Sequence, residues 1–270
     1  MDNVLSLSYG KDSLACLGAA EQLGVTIDRI VHAEVWATEN IPADLPPMVD
    51  FKKKADAIIK ERWGIEVEHF RADFSYEEIF YREPQTTKRK DLPKRPIYGF
   101  PYQKGPWCND RLKIAAINKS HKASAGCLQI IGIAADEQKR IERHKGNPNI
   151  LLPLVELGWT ENDCLRWCID NDLLSPIYTT AARGGCWFCH NQSVDQLRLL
   201  RRNYPDYWEM LLKWDKDSPV VFKPNGRMVH DYDRRFQMED DGVVPMDRTF
   251  RWDMLFDPPG LQLSLFEEGL

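Results

Sequence analysis

No apolar run in the 270-residue sequence is long enough to cross a bilayer, and no basic, apolar, small-residue leader precedes the first strand-like segment. Both absences predict a cytoplasmic protein with no membrane partner. A basic excess is also missing. There are 36 Lys and Arg residues against 41 Asp and Glu, a net charge of −5, so the overall field does not draw the chain onto nucleic acid. Any such contact has to come from a local patch. There is no internal repeat and no even cysteine count. Seven cysteines in a cytoplasmic setting read as core residues, metal ligands or reactive thiols rather than a disulfide framework. What is present is a globular balance, 43% hydrophobic and 29% charged, enough for one large domain or one domain with an extension.

Strand-like and helix-like segments alternate along the first two thirds. "VLSLS" from Val4 reads as a buried strand and Leu14 to Leu23 as a helix. "DRIVHAEVWA", "IEVEHFRA" and "CLQIIGIAA" read as further strands, and "NILLPLVEL" as a short extended piece. "PPMVDFKKKADAIIKERWG" has helical spacing and stops at Gly64, and "TENDCLRWCIDNDL" is a helix with Thr160 as its N-cap. This alternation predicts an α/β fold, a doubly wound, mostly parallel sheet with helices on both faces. The expected organisation is an α/β domain over 1–193, a helical and irregular C-terminal extension over 194–258, and a flexible tail over 259–270. Within the first, residues 82–107 are rich in Pro, Lys and Arg and read as a long basic surface loop.

The turn "SYGKDS" between the first strand and the first helix carries the clearest chemistry. A helix N-terminus after a parallel strand presents unpaired N–H groups and a favourable dipole to an anion. Gly10 permits close backbone approach, Ser8 and Ser13 offer hydroxyls, and Lys11 supplies a point charge. Asp12 is unusual in a plain phosphate cradle and is useful if it orients the turn or helps hold Mg2+. The spacing is too short for a Walker loop.

These six residues match the PP-loop, whose pattern is Ser, then Gly, Phe or Tyr, then Gly-x-Asp-Ser. The chain thereby resembles the adenine nucleotide alpha-hydrolase-like superfamily, and within it the phosphoadenosine phosphosulfate (PAPS) reductase family. The likeness runs over about residues 1–215 through "WCNDRLK" from Trp107, "IGIAADEQKRIER" from Ile131, "LPLVELGWTENDCLRW" from Leu152 and "SPIYTTAARGGCWFC" from Ser175. It departs where Ala134 stands in place of a frequent Arg, and where "WATEN" replaces a frequent Asp-Thr-Gly, leaving Thr38 as the match. The resemblance implies ATP or another adenine nucleotide at the carboxyl ends of the strands, bound by Ser8, Gly10, Lys11, Asp12, Ser13 and Thr38, with Gly132 close by. It further implies Asp136, Glu137 and Arg140 near the reacting centre, and Arg111 and Lys113 as positive charge facing the phosphate or substrate. For those three basic residues, a solvated helix face is the plain alternative.

Cys186 and Cys189 have the spacing of a metal knuckle or a redox pair. The resemblance brings Cys108 to them as a third ligand. Three thiolates fit an iron–sulfur cluster with an open iron, or Zn2+ completed by a residue such as His190. Cys16, Cys127, Cys164 and Cys168 read as core or structural. The PAPS-reducing enzymes use a nucleophilic cysteine in a C-terminal segment, and these 270 residues contain no cysteine after Cys189. The expectation is therefore cleavage of ATP at its alpha phosphate to adenylate an acceptor, with sulfur transfer to a nucleic-acid substrate as its purpose. The alternatives are a sulfonucleotide reductase or sulfate-assimilation enzyme, and a non-catalytic nucleotide sensor in a DNA-modification or phage-defence complex. Near the end, "QLSLF" matches the peptide that docks bacterial proteins on the DNA sliding clamp. There Gln262 would make polar contacts while Leu263, Leu265 and Phe266 fill an apolar pocket.

Overall fold

A computed structural model of the chain describes residues 2–84, 95–102, 105–121, 126–179 and 184–256. The Gln262–Phe266 peptide and the 85–94 and 103–104 portions of the basic loop lie outside the described residues. The chain divides into two compact units, residues 1–82 with 102–189 and residues 83–101 with 190–270.

The first unit is built from β1 (Asp2–Ser6), α1 (Lys11–Leu23), β2 (Arg29–Glu34), α2 (Pro46–Trp63), β3 (Val67–Arg71) and α3 (Tyr76–Phe80). After these comes a π-helical turn (Asn109–Ile114) running into α4 (Ala115–His121), then β4 (Cys127–Ile130) and α5 (Gln138–His144). The unit closes with β5 (Ile150–Leu151), α6 (Pro153–Glu156) and α7 (Glu161–Asp170). The five strands lie in the order β3-β2-β1-β4-β5. Every neighbouring pair is parallel, with Val4 opposite Gln129 and Leu5 opposite Ile30.

Alternation along the strands buries the sheet on both sides. Leu5, Ile30 and Ile130 enter one apolar cluster with Leu14 and Leu17 of α1, Phe51 and Ile59 of α2, and Cys164 and Cys168 of α7. Their strand neighbours Val4 and Val31 are also buried, and α4 packs against β2 and β3. The expected α/β, parallel, helix-covered sheet is what the chain has. Cys16, Cys164 and Cys168 are fully buried in it, as expected of core thiols.

Several boundaries differ from the sequence expectation, each for a local reason. The first helix begins at Lys11, three residues before Leu14, because Gly10 is extended (ψ 155) and its carbonyl already accepts from Leu14 N at 3.1 Å. Most of "NILLPLVEL" is not extended. Only Ile150–Leu151 pairs, and Pro153, whose fixed φ suits a first helical turn, opens α6. Thr160 does cap α7: its hydroxyl accepts from Asp163 N at 3.3 Å, and Asp163 accepts from Thr160 N at 2.9 Å.

Gly18 sets how closely α1 and α7 approach. A Cβ built there would lie 2.2 Å from Trp167 Nε1 and 2.5 Å from its Cε2. Gly18→Ala is expected to force the indole out of its packed position and lower stability by about 1–3 kcal/mol, read as a lower urea midpoint. An unchanged midpoint would show that the two helices are free to separate at this point.

The second unit contains α8 (Val194–Asn203), α9 (Pro205–Asp217) and α10 (Val229–Asp240). Within the helical pattern that begins at residue 194, Pro205 separates two helices and opens α9. Buried Glu239 on α10 accepts from Arg198 Nε on α8 at 2.8 Å and from Arg235 Nε at 2.6 Å, so its charge is compensated from two sides. Among the described residues no helix is long and apolar enough to cross a membrane.

Candidate functional site

In the order β3-β2-β1-β4-β5, the chain leaves β1 toward one side of the sheet and later returns beside it as β4. The connections that follow β1 and β4 therefore diverge, and an open parallel sheet offers a ligand crevice at such a point. The Ser8–Ser13 turn follows β1, and the Ile131–Glu137 segment follows β4.

The turn supports itself. Ser13 Oγ accepts from Ser8 N at 3.1 Å, donates to Gly10 O at 2.9 Å and lies 3.0 Å from Ser8 Oγ. Lys11 N donates to the Tyr178 hydroxyl at 3.1 Å. Among the described residues the N–H groups of Asp12 and Ser13 have no partner, so the first turn of α1 keeps two donors for an anion.

Gly132 fixes the second wall. A Cβ there would stand 2.6 Å from Ser13 N and 2.7 Å from the Asp12 carbonyl carbon and oxygen, all backbone atoms. Only glycine lets the chain leaving β4 pass this close to the N-terminus of α1.

Charge at the turn is mixed. Lys11 Nζ donates to Asp12 Oδ1 at 2.8 Å and to Glu161 Oε2 at 3.0 Å. Burial works against the ammonium, but these two bonds more than offset it, and Lys11 is held charged. Burial raises the Asp12 pKa, with Glu161 and Glu137 adding to the rise and Lys11 opposing it. The wall beside these N–H donors is thus acidic, which suits an anion that arrives with a divalent cation. Among the described residues no three His, Cys, Asp or Glu side chains are placed to hold a metal ion on their own.

The remaining expected residues are placed as follows. Asp136 Oδ1 accepts from Glu161 N at 3.1 Å, so it caps α7 and ties the β4 connection to the Lys11 partner. Glu137 accepts from Ala134 N at 3.2 Å and from Arg140 Nη1 at 2.7 Å; both belong to the same connection. Thr38 stands beyond the carboxyl end of β2, but its hydroxyl accepts from Asn40 N at 3.3 Å and Ile41 N at 3.1 Å within its own turn. Arg111 is exposed on the π-helical turn. Lys113, from the same turn, sits close enough to Cys108 and Cys186 to favour their thiolates. Two residues of the site were not expected from the sequence, Glu161 and Tyr178. Tyr178 lies inside the "SPIY" segment and Glu161 immediately follows the Thr160 cap, so both stand in quoted stretches without a marker of their own.

The first unit also gathers thiols. Cys108 directly precedes the π-helical turn, and Cys186 and Cys189 flank a tight turn closed by Cys189 N to Cys186 O at 3.0 Å. Trp187 pins that turn, its N donating to Ala43 O at 2.9 Å and its Nε1 to Pro42 O at 3.0 Å. Tyr76 packs against Trp107 and Phe188 with ring centroids at 4.9 and 4.2 Å, an aromatic wall beside the sulfurs. Burial, with Cys189 and against Lys113, pushes Cys108 up to about 11. Burial likewise pushes Cys186 up to about 12, against Lys113 and with Cys189 and Cys108. The three thiols are soft donors near enough to influence one another, but among the described residues they are not placed to hold a metal ion together. His190, the expected further zinc ligand, belongs to the second unit, where its carbonyl accepts from Lys223 at 2.8 Å.

No family model matches the chain. A stretch of 115 residues, 40% of the chain, is 35% identical to an uncharacterized nin region protein, ORF290, of Escherichia phage lambda, and the chain spans only 36% of that protein's length. Among solved structures the chain is similar to the U34-tRNA thiolase NcsA from Methanococcus maripaludis with its 4Fe-4S cluster, at 15% identity over 88% of this chain and 72% of that one, with a TM-score of 0.38.

Proposed function

We propose that the chain is a PP-loop, ATP-using enzyme related to the PAPS reductase family. It cleaves ATP between the alpha and beta phosphates to adenylate an acceptor, in the service of sulfur transfer to a nucleic acid. The observation that carries the reading is the first turn of α1. Two unpartnered N–H groups, a charged Lys11 and an acidic wall converge at the β1/β4 divergence. A bare anion is disfavoured by that wall, whereas a polyphosphate accompanied by Mg2+ meets donors and carboxylates together.

In the step proposed, an acceptor oxygen attacks the alpha phosphorus, the bond to the bridging oxygen of the beta phosphate breaks, and pyrophosphate leaves with that electron pair. The Asp12 and Ser13 N–H groups and the Lys11 ammonium are placed to stabilise the charge that develops on the phosphate oxygens. Asp12 would be the carboxylate that shares Mg2+ with the nucleotide, while its bond to Lys11 keeps the ammonium pointed at the turn. Cys108, Cys186 and Cys189 are the residues that would hold an iron–sulfur cluster, which supplies sulfur-binding chemistry when present.

The test is calorimetric and chemical. ATP with Mg2+ should bind, and with bulk tRNA or DNA as acceptor it should yield pyrophosphate. Asp12→Ala should lower that yield by a factor of about 100 or more, the scale of losing an organised charge contact at a reacting phosphate. Release of orthophosphate in place of pyrophosphate, or no nucleotide binding at all, overturns the proposal.

A further inference from the structure

The Ser8–Ser13 turn is held from behind by a polar network that phosphate binding does not use. Tyr9 sits within the turn at φ +57, the left-handed region that a bulky residue rarely adopts, and its side chain is fully buried. Its phenol donates to Asp56 Oδ1 on α2 and lies 3.3 Å from His69 Nε2 on β3. His69 spans two carboxylates, with Nε2 3.0 Å from Asp56 Oδ2 and Nδ1 2.9 Å from Glu34 Oε1 on β2. The residue preceding the turn is tied separately. His32 Nδ1 donates to Leu7 O at 2.8 Å and its Nε2 accepts from Lys52 at 2.8 Å, while Lys52 also donates to Asp44 at 2.5 Å. Backbone strain persists only where surroundings over-determine it, and here the surroundings that do so are named side chains.

We propose that Tyr9 is a positioning residue, a tether through Asp56 and His69 that keeps the Ser8–Ser13 turn in its anion-binding conformation before a ligand arrives. The purpose of the tether rests on the nucleotide reading given above; the tether itself belongs to the ligand-free chain. Its advantage is preorganisation, since donors already aimed need no ordering on binding.

The protonation states support the geometry. Burial, with Asp56, raises the Tyr9 pKa, so the phenol stays a donor. Asp56 and Glu34 push His69 up to about 9, so it is an imidazolium at neutral pH with each N–H on a carboxylate. His69 in turn holds Glu34 down to about 2, and burial pushes His32 down to about 3, leaving it neutral. The groups facing His69 are Asp56 from α2, Glu34 and His32 from β2, and Tyr9 from the turn; Lys52 lies beyond His32, to which it donates, and carries Asp44. Because its pKa is raised, the contribution of His69 is complete below its ordinary 6.5 and is lost as pH rises through about 9. The turn should therefore be held at neutral pH and loosen in alkali.

Hydrogen exchange of the Ser8 and Lys11 amides, the ones in the turn that donate at 3.1 Å to Ser13 Oγ and to the Tyr178 hydroxyl, reads the tether directly when followed in protein without added nucleotide. Tyr9→Phe removes one hydroxyl and leaves Asp56 without that donor. Exchange in this segment should rise at least about tenfold while β2 and β3 stay protected and the melting temperature moves by only a few degrees. His69→Gln, at a half-buried position, should loosen the same segment. Raising the wild-type protein from about pH 7 to about pH 10, after correction for intrinsic base catalysis, should reproduce the change. Unchanged exchange in Tyr9→Phe overturns the inference, and so does loss of protection spread over the whole first unit. The affinity for ATP with Mg2+, measured on the same samples, separates the two proposals. A loosened turn in Tyr9→Phe with no ATP binding by any sample leaves the tether standing and removes the nucleotide reading.

Discussion

Replacing Gly132 by alanine is expected to abolish nucleotide binding and lower the melting temperature, whereas the same change at Gly10 should spare the fold. The new methyl group at residue 132 would sit 2.6–2.7 Å from backbone atoms of Asp12 and Ser13, which have no rotamer through which to withdraw. Either α1 retreats or the chain after β4 does. Each outcome moves the Asp12 and Ser13 N–H donors away from the positions that face an anion. A misplacement on the order of 1 Å at such a centre costs about 100-fold. At Gly10 the added methyl meets nothing nearer than Ser8 Oγ and the Tyr178 hydroxyl, both at 3.5 Å, and φ is an ordinary −79. Gly10→Ala should therefore melt like the wild type. If it binds ATP with Mg2+ less well, the methyl has met the ligand and not the protein. A Gly132→Ala protein with wild-type melting and wild-type affinity would refute the close pass as a determinant of the site.

The second large effect concerns the thiols. Protein purified without oxygen is expected to carry iron and to absorb in the visible range, and Cys186→Ser should lose both. With no metal bound, burial keeps Cys186 and Cys108 protonated at neutral pH, so they are poor nucleophiles there. A bound metal ion would displace those protons, as coordination deprotonates a thiol outright. Metal content should accordingly rise with pH during reconstitution. Lys113 lies where its charge favours the thiolates, so Lys113→Met should weaken metal retention without touching a sulfur. Elemental analysis showing neither iron nor zinc in the wild type, or equal metal in Cys186→Ser, would sink the reading.

The features legible in the sequence were those whose cause is local. The strand, the turn and α1 follow one another within a few residues, so the place of the "SYGKDS" turn at the N-terminus of α1 is legible in those residues themselves. Gly64 ends α2 at φ +70 and Thr160 caps α7, both through contacts within one helical turn. Residues that complete the site from afar left no such mark. Glu161 reaches Lys11 across 150 positions and Tyr178 reaches its backbone N–H across 167. Their meeting depends on the β1/β4 pairing and on how α7 packs against α1. Tyr9 was visible in the motif, but its hold on Asp56 and His69 needs β3 and α2 in place. Thr38 matches by resemblance alone, and locally its hydroxyl serves a turn of its own. The β5 region misled because an apolar run reads alike as strand or helix, and Pro153 decided for a helix.

The strand order has a temporal consequence as well. Lys11 and its partner Glu161 are separated by 150 positions, and a ribosome adds about 5–20 residues per second. On that scale the turn waits roughly 8 to 30 seconds after its own synthesis for the segment that completes it. Until Cys127–Ile130 is made, the nascent chain has β1, β2 and β3 but not β4, so one flank of β1 is an open parallel edge. Substitutions that slow the docking of β4 should therefore reduce the yield of soluble protein before they alter the activity of the molecules that do fold.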